Sequence, residues 1–448
     1  MKAYQLIKNT VLALTLVPTF HLCLFVYWMV IHGQRQRYRK QHPNALPRLI
    51  WGDHPLMNNQ YWSEAMKKKG YTSETLMKWH MRYQNRSTFD RFTDTLVVLG
   101  IPRLDRTLRN WFLPQMAFTY AIKRADIFHH HFYGGFLSAC WLRPFEAQLL
   151  HWMGAKVVIT GVGGDLYRIS KIRNQSVKTG FLINYPQRVK EEARVERNVN
   201  YWSLKADCVI LGFQIDDMPR WDVMPFNMIT IDTESIQPKQ RYSSANGQNG
   251  VVKVMHAPNH RGIKGTEFII EAVKNLQVEG LKVELLLLEG VQNQEVLRLM
   301  REEADILVEQ LYGAYALTAI EGFATGLPVV GNLQEGENAL PIFRRFSYLS
   351  ECPMLSATPE NITHQLRSLV TQPRLRQILG KASRAYGEKY HSAKAAHILF
   401  ENVYDKIWWH KEVDLLTLYH PILGTTFQQQ TTIQHPLVNN LLPTEYHE

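Results

Sequence analysis

The stretch Ala304–Asn332, ADILVEQLYGAYALTAIEGFATGLPVVGN, constrains the fold more than any other part of the chain. It predicts strand, tight turn, helix and strand. Asp305 to Leu311 is a short apolar run ending in polar residues, and Tyr312-Gly313-Ala314 is a turn. Ala316 to Thr325 has helix-forming composition, with Gly326 and Pro328 as stop signals. Leu327 to Val330 opens a second buried strand. Two buried strands joined by a helix form a βαβ unit, so the sheet is expected to be parallel. The turn sets the helix N-terminus at the carboxyl edge of that sheet. Free amides and the helix dipole there favour an anion such as a diphosphate. Glu321, one turn into the helix, is in reach of a ligand held at its start. Thr318-x-x-Glu321 also reads as a capping box, in which the carboxylate serves the helix instead.

A second segment predicts a partner for that anion site. Val251 to His256 is a strand, and Ala257-Pro-Asn-His-Arg261-Gly-Ile-Lys264-Gly265-Thr266 is its loop. Glu267 to Leu276 is a helix with Ile269, Val273 and Leu276 on one face, Thr266 as N-cap and Gly280 as stop. A lysine and an arginine beside a helix start can neutralise a diphosphate and its departing negative charge. A solvated basic loop is the plainer reading of the same residues. Val283 to Leu288 is the next strand, ending in Glu289-Gly290-Val291, and Leu297 to Ala304 is a connecting helix.

The first half of the chain has the same alternation. Arg48 to Gly52 is a short strand, Asp53 to Asn59 a turn, and Tyr61 to Lys69 a helix ending at Gly70, which begins a Rossmann-like domain. Thr95 to Leu99, Ala125 to Phe132, Lys156 to Thr160 and Lys205 to Gly212 are further strands. His129, His130 and His131 follow one another on a strand and point alternately, which is poor geometry for a three-histidine metal site. His131 is either a cleft residue or a buried structural one. Gly163, Gly164 and Asp165 suit close backbone approach to a ligand. Asp165 either holds an acceptor hydroxyl or caps the next segment.

These motifs together resemble the group 1 family of retaining nucleotide-sugar glycosyltransferases, which have the GT-B fold. The family's donor motif is roughly E-G-F-G-L-x-x-x-E-A-M-A-x-G-x-P-V-V, and this chain has G-A-Y-A-L-T-A-I-E-G-F-A-T-G-L-P-V-V from Gly313 to Val330. Lys264-Gly265 matches the family's phosphate-binding pair, with Arg261 near its partner arginine. Asp126 to His131 resembles D-V-V-H-A-H, and Gly161 to Arg168 is similar to H-G-S-D-x-R. The resemblance covers about residues 47 to 409. It implies two Rossmann-like α/β domains facing a cleft, and transfer of a sugar from a nucleotide diphosphate with retained configuration. It implies that Glu321 holds the donor ribose. Arg261, Lys264, Gly265 and the amides of Ala316, Leu317 and Thr318 would hold the diphosphate without a metal. Glu289 would lie at the nucleobase, and His131 and Asp165 would orient the acceptor. Two departures matter. Gly313 stands where the family has its sugar-contacting glutamate, and Val162 where many relatives have histidine. Both suit an alternative, a GT-B-shaped subunit that binds without catalysing. An epimerase or hydrolase on the same fold is a third reading.

Composition adds the setting. A net charge of +11 points to an acidic partner. No zinc spacing or RNA-binding signature points to nucleic acid. Thr10 to Ile31 is almost wholly apolar and long enough to cross a bilayer, with Lys2 and Lys8 before it and Arg35, Arg37, Arg39, Lys40 and Arg48 after it. The run is expected to be a single-pass membrane anchor with the catalytic domains on the cytoplasmic side. Arg103 to Arg109, ahead of Trp111, is a basic amphipathic stretch that either meets anionic lipid or is a solvated helix face. Four scattered cysteines are no disulfide framework and suit a reducing compartment. The expected domains are an anchor and linker (1–46), an acceptor domain (47–240), a donor domain (250–392), a cross-over helix (393–415) and a polar, disordered tail (416–448), with residues 239–250 as the interdomain linker. Expected partners are a nucleotide sugar as co-substrate, a lipid-linked or saccharide acceptor and the membrane, with no cofactor.

Overall fold

The computed structural model describes residues 2–80, 86–96, 102–212, 218–225, 229–333, 340–424 and 430–446, with side chains from residue 18 in the first helix and from 111 in the third. The first sheet contains β1 (Leu49–Trp51), β2 (Ser73–Met77), β3 (Arg91–Phe92), β4 (Ile127–His130), β5 (Lys156–Thr160), β6 (Cys208–Leu211) and β7 (Met224–Pro225). Its order is β3-β2-β1-β4-β5-β6-β7, with every neighbouring pair parallel. The second contains β8 (Val252–His256), β9 (Val283–Leu287), β10 (Ile306–Val308), β11 (Val329–Gly331) and β12 (Leu355–Ser356), ordered β12-β11-β10-β8-β9 and again all parallel. Strands such as β4 and β6 are buried along their whole length because helices cover both sheet faces.

The helices of the first domain are α1 (Lys2–Gln41), α2 (Met57–Lys68), α3 (Pro102–Arg124), α4 (Glu146–Trp152), α5 (Gln175–Asn184) and α6 (Arg188–Lys205). Those that follow are α7 (Arg261–Lys264), α8 (Thr266–Val278), α9 (Asn293–Glu302), α10 (Leu317–Thr325), α11 (Leu340–Phe346), α12 (Ile362–Thr371), α13 (Pro373–Tyr390) and α14 (Ala393–Ile407). Strand order reverses between β1 and β4 in one sheet and between β8 and β10 in the other. Ligands of such sheets bind beyond the carboxyl ends of the strands at these reversals. Two contacts turn the reversals toward each other. α14 returns to the first domain, where Phe400 packs on Trp51 and Trp62 at 5.0 and 5.6 Å and Tyr404 Oη meets His129 Nε2 at 2.8 Å. From the other side α5 lies on α7, with Asn184 Oδ1 accepting from the Ile263 amide at 2.7 Å.

Several expectations need correction. Among the described residues no helix is long and apolar enough to cross a membrane. The predicted anchor is the front of α1, which runs unbroken to Gln41 and whose second half belongs to the first domain. Leu24, Trp28 and Ile31 are in that domain's core. Arg35 donates to the carbonyls of Ile122 and Ala125 at 2.5 and 2.6 Å, closing the end of α3, and pairs with Asp126 at 3.0 Å. The C-terminal segment is not a free polar tail. Leu437 and Leu442 are buried in the second domain, and the Asn440 side chain donates to the carbonyls of Cys352 and Met354. The 239–250 linker is held on the second domain: Arg376 donates to the Ser243 carbonyl and Tyr242 to that of Gly326. Thr266 is the first residue of α8, not its cap, because its hydroxyl meets His256 Nε2 at 2.9 Å. Thr95 ends a 3₁₀ turn that Leu96 closes in helical backbone, and residues 97–99 of the expected strand lie outside the described residues, as do the side chains of Lys2, Lys8 and Arg103 to Arg109.

Candidate functional site

Each side of the cleft is built from loops at a strand-order reversal. On the second domain these are the β8–α8 loop, which carries Arg261, Lys264 and Gly265, and the β10–α10 loop from Glu309 to Ala316. Gly265 takes φ of +72°, and a Cβ there would lie 2.9 Å from Leu311, so the two loops close directly on each other. Lys264 is buried between them. Its ammonium pairs with the Glu309 carboxylate and with Gln310 Oε1 at 2.8 Å. Glu309 is 1% exposed, and its second oxygen has no partner among the described residues. Gln310 in turn donates to the carbonyls of Gly313 and Ala314, bracing the turn in front of α10.

α10 starts at the floor of the cleft. Ala316 is its N-cap, followed by Leu317 and Thr318, whose amides precede the helix's own hydrogen bonds. The capping-box reading of Glu321 fails, since Thr318 is inside the helix. Glu321 Oε1 instead accepts from Asn293 Nδ2 at 2.7 Å, at the start of α9 and beyond the Glu289-Gly290-Val291 turn. Burial pushes this carboxyl up to about 7. Arg261 is not in the cleft with Lys264. It is half-exposed and paired with Glu267 at 2.8 Å and with Glu289 at 2.9 Å, so two predicted donor residues are occupied with each other.

Gly313 has a structural reason to lack the family's carboxylate. Its φ is +63°, and an added Cβ would lie 3.1 Å from Val177 of α5. Ala314, next to it, also has positive φ, +41°. The turn is tight, and a side chain at 313 would start from a left-handed backbone and press on Val177 of α5 in the opposite domain.

The first domain supplies the other wall. Gly163 and Gly164 line it, with φ of +100° at Gly163. His131 and Asp165 do not line it. The His131 ring nitrogens meet the Thr160 carbonyl at 2.7 Å and Asn59 Oδ1 at 3.0 Å, and burial lowers its pKa to about 4. Asp165 accepts the amides of Val162 and Phe132, each at 3.0 Å, and burial raises it to about 6. Both brace the loops after β4 and β5. The neighbouring His54 stacks on Tyr133 of the cleft wall at 4.4 Å. Its Nδ1 meets the buried Asp53 carboxylate at 2.5 Å, which His54 and Lys78 hold down to about 2 against its burial.

Between the walls lies a cleft of about 460 Å³. Among the described residues its lining includes Arg168, Lys171, Arg173, Arg188 and Lys264, and no carboxylate. Arg188 is the clearest residue that motif reading missed. It starts α6, one guanidinium nitrogen meets Glu191 at 3.2 Å, and Nη2 is buried beside Gly164 with no partner among the described residues. The sequence signal was a basic residue at a helix start, which Arg261 at the start of α7 shares. Among the described residues no group of His, Cys, Asp and Glu is arranged to hold a metal ion, and the four cysteines are unbridged.

Two parallel α/β domains with these strand orders, facing one cleft and bridged by a returning C-terminal helix, have the GT-B architecture. Solved structures of that kind are similar to this chain. A glycosyltransferase from Rickettsia africae has a TM-score of 0.47 at 13% identity, covering 82% of this chain and 100% of its own. A putative UDP-N-acetylglucosamine 2-epimerase from Listeria monocytogenes scores 0.46 at 12% identity, covering 82% and 98%. The catalytic domain of starch synthase IV from Arabidopsis thaliana, bound to ADP and acarbose, scores 0.42 at 11% identity, covering 81% and 99%. At such scores the likeness carries no functional argument. No protein-family model and no curated protein matches the sequence.

Proposed function

We propose that this chain binds a nucleotide-diphosphate sugar in the cleft and transfers the sugar to an acceptor with retained configuration, as a hexosyltransferase that needs no metal. The observation that carries the reading is a cleft between the two domains whose described lining has five cations and no carboxylate, with the start of α10 on its floor. A diphosphate fits there with its oxygens on the amides of Ala316, Leu317 and Thr318 and on Lys264. Arg188, across the cleft, would face the same anion. Glu321 would hold the ribose and the Glu289 turn would flank the base. As the glycosidic bond breaks, charge builds on the leaving phosphate, where these groups stabilise it. The acceptor's proton can pass to that phosphate, which suits a site in which His131 and Asp165 are tied into the wall. The acceptor is a lipid-linked or surface saccharide, and the site of action is the cytoplasmic face of a membrane.

A second reading has its own support. Lys264 is already neutralised by Glu309, and Arg261 by Glu267 and Glu289, as in a subunit that keeps the architecture without the reaction. Incubation with UDP-, GDP- and ADP-sugars and a lipid-extract acceptor separates the two, with the product's anomeric configuration read by NMR. A product of retained configuration from one donor supports the transferase. An inverted product removes the retaining mechanism, and no product with any donor favours the binding subunit.

A further inference from the structure

From residue 18 onward α1 is apolar on two opposite sides. Leu24, Trp28 and Ile31 are buried in the first domain, and Trp28 Nε1 donates to Thr119 of α3 at 2.8 Å. Leu22, Phe25, Val26, Met29 and Val30 follow the i, i+3, i+4, i+7, i+8 spacing on the other side and are 44–66% exposed. One apolar stripe suffices to seat a surface helix on its domain. The second stripe needs another apolar medium. It continues beyond α1: Trp152 lies parallel to Phe25 at 6.3 Å, and Trp141 Nε1 donates to His21 Nε2 at 3.2 Å. Trp141 and Phe145, which flank exposed Arg143, are themselves 63% and 52% exposed.

The charge around this face has one sign. Arg37 and Lys40 are exposed near its end, Lys123 lies over the Tyr27 ring at 5.6 Å, and the chain has no acidic residue from Met1 to Gly52. That excludes a second copy of this chain as the natural occupant, because the facing surface would carry the same cations. Exposed tryptophans with interspersed arginine and lysine match the headgroup boundary of an anionic bilayer. Depth is limited by the core packing. Phe20 already packs on Phe112 of α3 at 4.0 Å, so the apolar run from Thr10 up to that contact is about 10 residues or roughly 15 Å of helix against a hydrocarbon core of ~30 Å.

We propose that the protein is monotopic: this face of α1, with the Trp141–Phe145 turn and Trp152, rests in one leaflet of an anionic membrane without crossing it. The inference goes beyond the donor reading, since bilayer binding needs no nucleotide and either can fail alone. Full-length protein is tested by flotation with vesicles of equal phosphatidylglycerol and phosphatidylcholine. The wild type is expected to float, and to bind pure phosphatidylcholine vesicles several-fold less. The triple variant Phe25→Ser, Trp141→Ser, Phe145→Ser is expected to lose about tenfold or more in partitioning, given the apolar area removed, at an unchanged melting temperature. Should that variant melt early, the exposed pair Lys40→Glu and Arg143→Glu replaces it, with the same expected loss. In a Cys23→Ser background, Lys2→Cys is expected to react with a membrane-impermeant maleimide from the side that carries the domain. Flotation by folded variants equal to wild type, equal binding to neutral vesicles, or labelling of Lys2→Cys only after vesicle lysis would each overturn the proposal.

Discussion

Lys264 and Glu309 form the most consequential pair in the cleft, because each is buried and each is the other's counter-charge. Removing one partner of such a pair costs roughly 3–5 kcal/mol, whereas replacing both with apolar groups is often neutral. Lys264→Ala should therefore lower stability in urea by that order and abolish nucleotide binding, while Lys264→Met with Glu309→Leu should recover stability and still not bind. If the double variant bound nucleotide normally, Lys264 would not be a phosphate ligand. Glu321 makes a pH prediction. Its carboxyl is raised from the ordinary 4.5 to about 7, so the folded chain holds a proton there that the unfolded chain has lost. This group's contribution to stability is complete below 4.5 and falls as pH rises toward 7. The ionised carboxylate accepts from a ribose hydroxyl more strongly than the protonated acid does, so nucleotide affinity should rise as pH climbs through about 7. Titration calorimetry across that range checks this, and an identical pH slope in Glu321→Gln would remove Glu321 from the site. Gly313→Glu, which introduces the family residue, should cost about 1–3 kcal/mol in a backbone region that disfavours side chains, and should not raise activity. A stable and more active Gly313→Glu would contradict the role assigned to α5.

That role belongs to the element scale. α5 lies on the donor loop through the Asn184–Ile263 hydrogen bond and the notch at Gly180, where an added Cβ would sit 2.8 Å from Ile263. Asn184→Ala should destabilise by about 1 kcal/mol and weaken nucleotide binding, and unchanged binding would make α5 a passive wall. The parallel strands at 49–51, 156–160, 208–211, 252–256, 283–287, 306–308 and 329–331 were legible because each is a short buried apolar run closed by turn residues. The βαβ unit at 304–332 was legible for the same reason, including the helix stop at Gly326 with φ of +74°. What local pattern could not show were contacts between distant segments. Arg188 beside Gly164 and Glu309 against Lys264 each join loops far apart in sequence within one domain, and α5 over Gly313 depends on how the two domains close. The C-terminal segment was misread for a related reason. Leu437, Asn440 and Leu442 form no periodic stripe, yet they dock on the second domain, where Asn440 Oδ1 accepts from Arg344 at 3.1 Å. Asn440→Ala should therefore lower that domain's melting temperature, and no change would return the segment to an accessory role.

On the scale of the whole molecule, the excess of +11 is not spread at random. Part of it lines the cleft, where five of the described lining residues are cations, and part surrounds the apolar side of α1. From residue 18 onward, the apolar run that reads as a membrane span in the sequence is divided in the structure between a buried and an exposed side, which periodicity alone could not foretell. The two charged regions lie on one domain pair whose parts are tied by α14 and by α5, so a donor held in the cleft and a lipid surface against α1 act on a single body. The central claim is that the cleft is a nucleoside-diphosphate site, and titration calorimetry tests it most directly. UDP, GDP, ADP and CMP are each titrated into the full-length protein, Lys264→Met with Glu309→Leu, and Arg188→Ala. One nucleotide is expected to bind the wild type, the double variant to lose it, and Arg188→Ala to weaken it about tenfold, the worth of one charge-assisted hydrogen bond. Binding that survives in both variants, or no binding of any nucleotide to folded protein, would contradict the central claim.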